Sequence, residues 1–227
     1  MTTVLITGAS RGIGLSMARA FAKRGDTVIA TARKPGDSLR ELDVRVETLD
    51  VADDASAQEL AAQLQGESID VLVHNAAAAS AEGLDTVSGE TILNQMEVNA
   101  VGPLRVTRAL LPNLAAGSKI AIITSRMGSI GDNTSGGAYA YRMSKAALNM
   151  FGRSLAHDVK DRGVAVVTLH PGMVDTDMLR GFVDAPPSVT GARTPDAVAG
   201  DVLTRLEGLT IETTGRFLHV NGEELPW

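Results

Sequence analysis

Tyr141 and Lys145 stand four residues apart in Tyr141-Arg142-Met143-Ser144-Lys145. On a helix that spacing puts both side chains on one face. A phenol beside an ammonium is a device for moving protons. A free phenol titrates near ~10, too high for a general base at neutral pH. A neighbouring ammonium favours the phenolate and lowers that value, toward the working pH that acid–base catalysis requires. Taken alone, Y-x-x-x-K is common and reads as a surface pair. Here the helix that carries it has no acidic residue between Tyr139 and His157 and is apolar or small nearly all round. That is the composition of a helix buried on both sides, where a Tyr-Lys pair is expensive unless it has a use. Ser125, at the end of an expected strand, is placed to hydrogen-bond the same substrate oxygen. Alone, it would read as a turn serine.

A second constellation lies at the start of the chain. Thr3 to Thr7 is a short apolar run, right for one buried strand. Gly8-Ala9-Ser10-Arg11-Gly12-Ile13-Gly14 follows, and Ile13, Met17 and Phe21 then mark one face of a helix that Gly25 stops. The first turn of a helix offers unpaired N–H groups and the positive end of the dipole. Glycine leaves room there for a pyrophosphate. The spacing is G-x-x-x-G-x-G rather than G-x-G-x-x-G. The second strand ends Ile29-Ala30-Thr31-Ala32-Arg33-Lys34, with no carboxylate before Asp37. An NAD-specific site usually carries an acid at that strand end to bond the ribose hydroxyls. Arg33 stands there instead, and Arg11 lies in the glycine loop. Two arginines with no competing acid suit a 2′-phosphate, which the planar guanidinium fork matches. The expected cofactor is NADP(H).

These groups need elements to hold them. Further strands are expected at Thr27–Thr31, Val44–Leu49, Ile69–Val73, Lys119–Thr124, Val164–Leu169 and Arg216–Val220. Helices are expected at Ala55–Leu64, Ser88–Ala115 in two pieces joined near Asn99 and Pro103, Tyr139–Asp161 and Pro195–Leu206, the last capped by Thr194. Met127 to Gly137 is loop. Strands alternating with helices imply right-handed crossovers and a parallel sheet. The expected fold is α/β: a doubly wound Rossmann sheet of seven strands in order 3-2-1-4-5-6-7, in one domain over 1–227. Ligands of such sheets bind beyond the strands' C-terminal ends, here Gly8, Ala32, Asp50, Asn75, Ser125 and Pro171. Met178, Leu179, Phe182, Val183, Pro186, Pro187 and Val189 suggest a short apolar lid near 178–193.

With the motifs in order, the chain resembles the short-chain dehydrogenases/reductases. They carry a glycine loop, an N-A-G turn, a helical Asn, a Ser, Y-x-x-x-K and P-G-x-x-x-T in this sequence. Here these are Gly8/Gly12/Gly14, Asn75-Ala76, Asn99, Ser125, Tyr141/Lys145 and Pro171-Gly172-Met173-Val174-Asp175-Thr176. Arg-Met-Ser-Lys and the terminal Asn221-Gly222-Glu223-Glu224-Leu225-Pro226-Trp227 look closest to the C-factor-like branch. The resemblance implies that Tyr141 is the general acid in carbonyl reduction and that Lys145 lowers its pKa and bonds the nicotinamide ribose. It implies that Ser125 positions the carbonyl and that Asn99 holds a water feeding a proton relay. It also implies that Pro171, Gly172, Val174 and Thr176 grip the nicotinamide amide, that Asp50 and Val51 flank the adenine, and that Ser10, Ile13, Asn75, Ala76 and Ala77 line the cofactor cleft. Members with arginine at the Arg11 position are often NADP-dependent. Two features depart from the family pattern. His74-Asn75-Ala76-Ala77 replaces N-N-A-G, so Ala77 either crowds the adenosine side or shifts a turn, and His74 reads as structural. The Ser125–Tyr141 loop is longer than typical, which reshapes the site mouth. The rival Tyr139 is six residues from Lys145 and would point away.

Bulk properties set the outer bounds. The chain has 227 residues, 44% of them apolar but only 3% aromatic, so its core must be aliphatic. No cysteine means no thiolate chemistry. A net charge of −6 with no run of Lys or Arg argues against nucleic acid. No stretch approaches the ~20 apolar residues of a membrane span, and a strand beginning near Met1 leaves no room for a signal peptide. A cytoplasmic protein is expected. Ala140, Met143, Ala147, Met150 and Phe151, with Leu104, Leu111 and Leu114, offer apolar stripes of the kind that mark interfaces. The family pairs these two helices across a two-fold axis, so a homodimer is expected and a homotetramer is compatible. Two alternatives to the reductase stand beside it. One is a nucleotide-binding sensor or signalling protein with little turnover. The other is an epimerase or dehydratase, though those usually have a larger C-terminal substrate region.

Overall fold

The computed structural model describes residues 1–183, 186 and 190–227. β1 (Thr3–Thr7) leads into α1 (Gly12–Arg24), then β2 (Thr27–Ala32), a four-residue α2 (Asp37–Arg40), β3 (Arg45–Thr48) and α3 (Asp54–Gln63). β4 (Val71–His74) precedes α4 (Gly89–Met96), and α5 (Gly102–Leu110) precedes β5 (Lys119–Ile123). α6 (Tyr139–Asp158), β6 (Ala165–His170), α7 (Asp177–Arg180), α8 (Pro195–Glu207) and β7 (Arg216–His219) follow. All seven strands are parallel, in the order β3-β2-β1-β4-β5-β6-β7. The expected order and alternation are therefore those observed.

The sheet divides the core in two because side chains alternate along each strand. From β1, Val4 and Ile6 pack on one face with Met17 and Phe21 of α1 and Val198 and Val202 of α8. Leu5 faces the other way, toward Leu60 of α3, Leu110 of α5 and Leu148 and Leu155 of α6. Strands buried on both faces read as continuous apolar runs, which is why they were legible in the sequence. They hold α1 and α6, the two helices that carry the chemistry-bearing motifs, over the same end of the sheet.

The Ser88–Ala115 stretch holds two helical pieces joined at Asn99 as expected, and the joint is a π-helical segment, Glu97–Val101. Two expectations need correction. The helix α6 buries only one side of itself in the single chain: Met143 and Met150 remain 48% and 66% exposed. The apolar stripe also has a different membership. Ala140 and Leu114 are core residues of the subunit, whereas Leu93, Val101 and Leu104 are exposed beside the methionines. Among the described residues no helix is long and apolar enough to cross a membrane.

Candidate active site

The glycine loop and β4 are locked together at the middle of the sheet. The Asn75 carboxamide donates to the carbonyls of Thr7 (3.1 Å) and Gly8 (3.0 Å), and the Thr7 hydroxyl accepts from the N–H groups of Asn75 and Ala76. Helix α1 presses hard on this junction. A Cβ on Gly14 would lie 2.3 Å from the Gly8 carbonyl oxygen and 2.6 Å from the Asn75 Nδ2. Glycine is therefore required by packing alone, and it brings the start of α1 against the loop. That helix start has no side-chain cap and no acidic residue in its first turn. Its free N–H groups and dipole are left for an anion.

The rest of the cleft follows the strand ends. Asp50 accepts from the Ala52 N–H, and Val51 is buried against Gly102. Ala77, in place of the usual glycine, lies half-buried in the loop after β4. Arg33 is exposed directly after β2 and forms no ion pair among the described residues. Arg11 is exposed too, but it reaches Asp177 at 3.4 Å. The structure thus turns Arg11 toward α7, away from the convergence with Arg33 expected from the sequence. Thr176 caps α7, accepting from the Leu179 N–H and donating to the Val174 carbonyl. The residues present fit a dinucleotide: a glycine turn that no side chain fills, an uncapped helix start, and a strand-end cation without an acid.

Beyond β5 and β6 lies a pocket of about 660 Å³. Ser125, Tyr141, Pro171, Gly172, Val174 and Thr176 line it, together with Ile13 of the glycine loop. Met178, Leu179, Phe182 and Val183 line one side, and the Phe182 ring packs 5.2 Å from that of Tyr141. Of the other expected lid residues, Pro186 is exposed, and Pro187 and Val189 lie outside the described residues. Tyr139 is not among the lining residues.

Tyr141 and Ser125 line the floor, and Lys145 is buried next to Tyr141. The Ser125 side chain lies near enough to the Tyr141 phenol to lower its pKa. The Lys145 ammonium lies 5.7 Å from the centre of the phenol ring and donates to the Ile123 carbonyl at 3.1 Å. Gly128, in the turn after Ser125, makes this closeness possible, because a Cβ there would lie 2.6 Å from the Lys145 carbonyl carbon. Asn99 is fully buried. Its Oδ1 accepts from the Ala78 N–H, and its Nδ2 donates to the Ala78 carbonyl and the Ser144 hydroxyl. The carboxamide is thus committed, and its π-helical setting is of a kind that recurs at functional sites.

The electrostatics correct one expectation. Burial pushes the Tyr141 phenol up to about 12, against which the Ser125 side chain works in the lowering direction. Burial pushes the Lys145 ammonium down to about 7. Lys145 therefore does not bring Tyr141 below its ordinary value here. Both groups are desolvated together, and each charged form loses its water. At neutral pH Tyr141 is a protonated phenol, ready to donate.

Sequence reasoning missed part of the pocket: Arg126, Asp132, Ser135, Arg142, His170 and Met173 also line it. Two signals pointed that way. Arg142 follows Tyr141 directly, and His170 ends β6 next to Pro171. His170 packs 5.2 Å from the His219 ring. Burial, His219 and Arg126 push it down to about 3, so it is neutral. His74 is buried in the core with Nε2 2.8 Å from the Thr107 hydroxyl, and burial pushes it down to about 3.

Residues 2–186 match the family model described as short chain dehydrogenase. The chain belongs to the short-chain dehydrogenase family. The 1-hydroxy-2-glutathionyl-2-methyl-3-butene dehydrogenase of Rhodococcus sp. (strain AD45) is 41% identical over 230 residues, covering all of both chains. The C-signal of Myxococcus xanthus is 46% identical over 162 residues, or 70% of this chain and 93% of that one. That similarity bears out the resemblance to the C-factor-like branch. Among solved structures, the NADPH-bound carbonyl reductase from chicken fatty liver superposes with a TM-score of 0.89 at 32% identity, covering 100% of this chain and 99% of that one. The short-chain dehydrogenases are oxidoreductases, and this chain has their fold.

Proposed function

We propose that this protein is an NADP(H)-dependent carbonyl reductase, with Tyr141 as the general acid. The observation that carries the reading is that Ser125 and Tyr141 line one pocket with Ile13 of the glycine motif, with the buried Lys145 ammonium 5.7 Å from the centre of the Tyr141 ring. A bound nicotinamide dinucleotide supplies the hydride. The chain's own residues do the rest. The Ser125 hydroxyl and the Tyr141 phenol both face the position of a carbonyl oxygen, one to orient it and one to protonate it as negative charge develops. A phenol held near 12 is a weak acid toward water but a fit donor to a forming alkoxide. Lys145 lies 5.7 Å from the centre of the ring, and with its value pushed down to about 7 it exchanges a proton readily at neutral pH. When water is supplied from the Asn99 side, the main chain must hold it, because the carboxamide is occupied.

Arg33 is the group for a 2′-phosphate, and Arg11 joins it by leaving Asp177. The NADPH-bound reductase from chicken supports this choice, as does the lack of an acid at the end of β2. The apolar lining, with Met127, Met173 and Met178 as adaptable surfaces, suits a compact carbonyl with an apolar body. The Rhodococcus relative adds glutathione-linked hydroxyalkenes to the candidates. The second shell of the proposal is assembly: the exposed Leu93, Leu104, Met143 and Met150 pair two copies as a homodimer, with a cytoplasmic location.

The test is NADPH oxidation against aldehydes, ketones, quinones and glutathione-linked carbonyls, repeated with NADH. Turnover with a preference for NADPH is expected. Arg33→Ala should raise the KM for NADPH roughly ten- to a hundredfold, since a charge-assisted contact is worth about 1.5–3 kcal/mol, and should leave that for NADH little changed. Tighter binding of NADH than NADPH by the wild type would falsify the cofactor assignment. Tight NADPH binding with no turnover on any substrate would favour the sensor.

A further inference from the structure

Arg142 sits on the first turn of α6, directly after Tyr141, and its guanidinium points across the pocket wall. Nε donates to the carbonyls of Gly136 and Gly137, both at 3.1 Å. One terminal nitrogen donates to the Met127 carbonyl at 3.3 Å and the other to the Ser135 hydroxyl at 2.8 Å. These acceptors lie at the two ends of the segment between Ser125 and Tyr141. Met127 belongs to the short helical turn that Ser125 opens, where the Ser125 hydroxyl accepts from the Met127 N–H. Gly136 and Gly137 lead into α6 with left-handed φ values of +64° and +66°, and Ala138 continues at +45°. Ala138 is the only non-glycine with positive φ among the described residues. Such backbone persists only when its surroundings over-determine it. Asn133 accepts from the Gly136 N–H and the Glu82 carbonyl from the Ala138 N–H, while Arg142 bonds the carbonyls of Gly136 and Gly137 and no carboxylate.

The geometry points to Arg142 as a positioning residue that clamps the Ser125 turn to the Tyr141 helix and so fixes the distance between the two hydroxyls. This rests on the proposed roles of Ser125 and Tyr141. Gly128 packed on the Lys145 backbone and the Thr124–Asn149 bond already hold the Ser125 turn against α6, and Arg142 adds the direct bonds that tie this turn to the far end of the loop. One planar fork with several donors can bond both ends at once, which an ammonium cannot. The same bonds hold Ser135 and the wall that faces the substrate.

The test is a double-mutant cycle of Arg142→Met with Ser125→Ala, read as kcat and KM for carbonyl reduction with NADPH. Arg142→Met alone is expected to lower kcat on the order of 10- to 100-fold, the usual consequence of a small misplacement, with the KM for NADPH within about twofold of wild type. In the Ser125→Ala background the same substitution should change kcat by less than about twofold, because the group it positions is gone. Equal effects in both backgrounds would overturn the proposal and leave Arg142 a support of the loop. Should Arg142→Met fail to fold, Arg142→Lys goes through the same cycle with the same two outcomes. A fault in the underlying reading shows separately, as wild-type-like turnover by Ser125→Ala alone.

Discussion

At the scale of single residues, the titratable groups buried by the fold make the clearest predictions. His74 is neutral in the folded chain because burial pushes it down to about 3, while an unfolded histidine titrates near ~6.5. Between those values the unfolded chain binds the extra proton, so stability rises with pH and is lost as pH falls from ~6.5 toward 3. His170 adds the same dependence in the same window. His74→Asn, which can keep a bond to Thr107, should remove up to about 1.4 kcal/mol per pH unit from that slope. Urea unfolding at pH 6.5 and pH 5 measures it. A slope unchanged by the substitution would mean that His74 is not the group responsible. Lys145 works through the same logic at higher pH. Its folded value near 7 lies below that of a free lysine, so it weakens the fold below the free value and the loss is relieved as pH rises.

At the scale of elements, the junction of β1, α1 and β4 is the part most constrained. Gly14→Ala puts a methyl carbon into contact with the Gly8 carbonyl and the Asn75 carboxamide. Backbone stands on one side, so relief requires moving α1. The expected cost is about 1–3 kcal/mol, with loss of NADPH binding beyond what the stability change explains. Fluorescence titration of NADPH against a denaturation midpoint checks both, and normal NADPH affinity would contradict the placement of the glycine loop. Much of this level was legible in the sequence. The central strands are continuous apolar runs, the glycine loop and Ser125 fall at their C-terminal ends, and Tyr141 and Lys145 share one face of the helix α6, where local pattern suffices. What was not legible depends on distant contacts. The π-helical segment at Asn99 has no local signature, since Glu97-Val98-Asn99-Ala100-Val101 suits an α-helix equally well. The direction of Arg11 depends on Asp177, which is 166 residues away. The joint burial of Tyr141 and Lys145, which reversed the expected shift of the phenol, follows from packing that no spacing rule contains. The role of Arg142 depends on acceptors 5 to 15 residues away in the chain, which its place next to Tyr141 does not reveal.

At the scale of the whole molecule, two surfaces remain to be explained: the pocket and the apolar face of α4, α5 and α6. Leu93, Leu104, Met143 and Met150 are each between 44% and 71% exposed, and clustered apolar exposure of this kind marks interfaces. Light scattering at micromolar concentration should give twice the 23.7 kDa chain mass or a further even multiple, and Met150→Glu should shift it toward the monomer. A wild-type monomer would sink the assembly.

The account as a whole stands on one proton. Tyr141→Phe removes the phenolic hydroxyl and keeps the ring that packs on Phe182, so the fold and the NADPH affinity should survive. The decisive measurement is the rate of NADPH-dependent carbonyl reduction by this variant on the best substrate of the wild type. A general acid contributes about 10²–10⁴-fold, and a loss of that size with NADPH binding intact is the predicted result. Turnover near the wild-type rate would contradict the role given to Tyr141, and with it the mechanism.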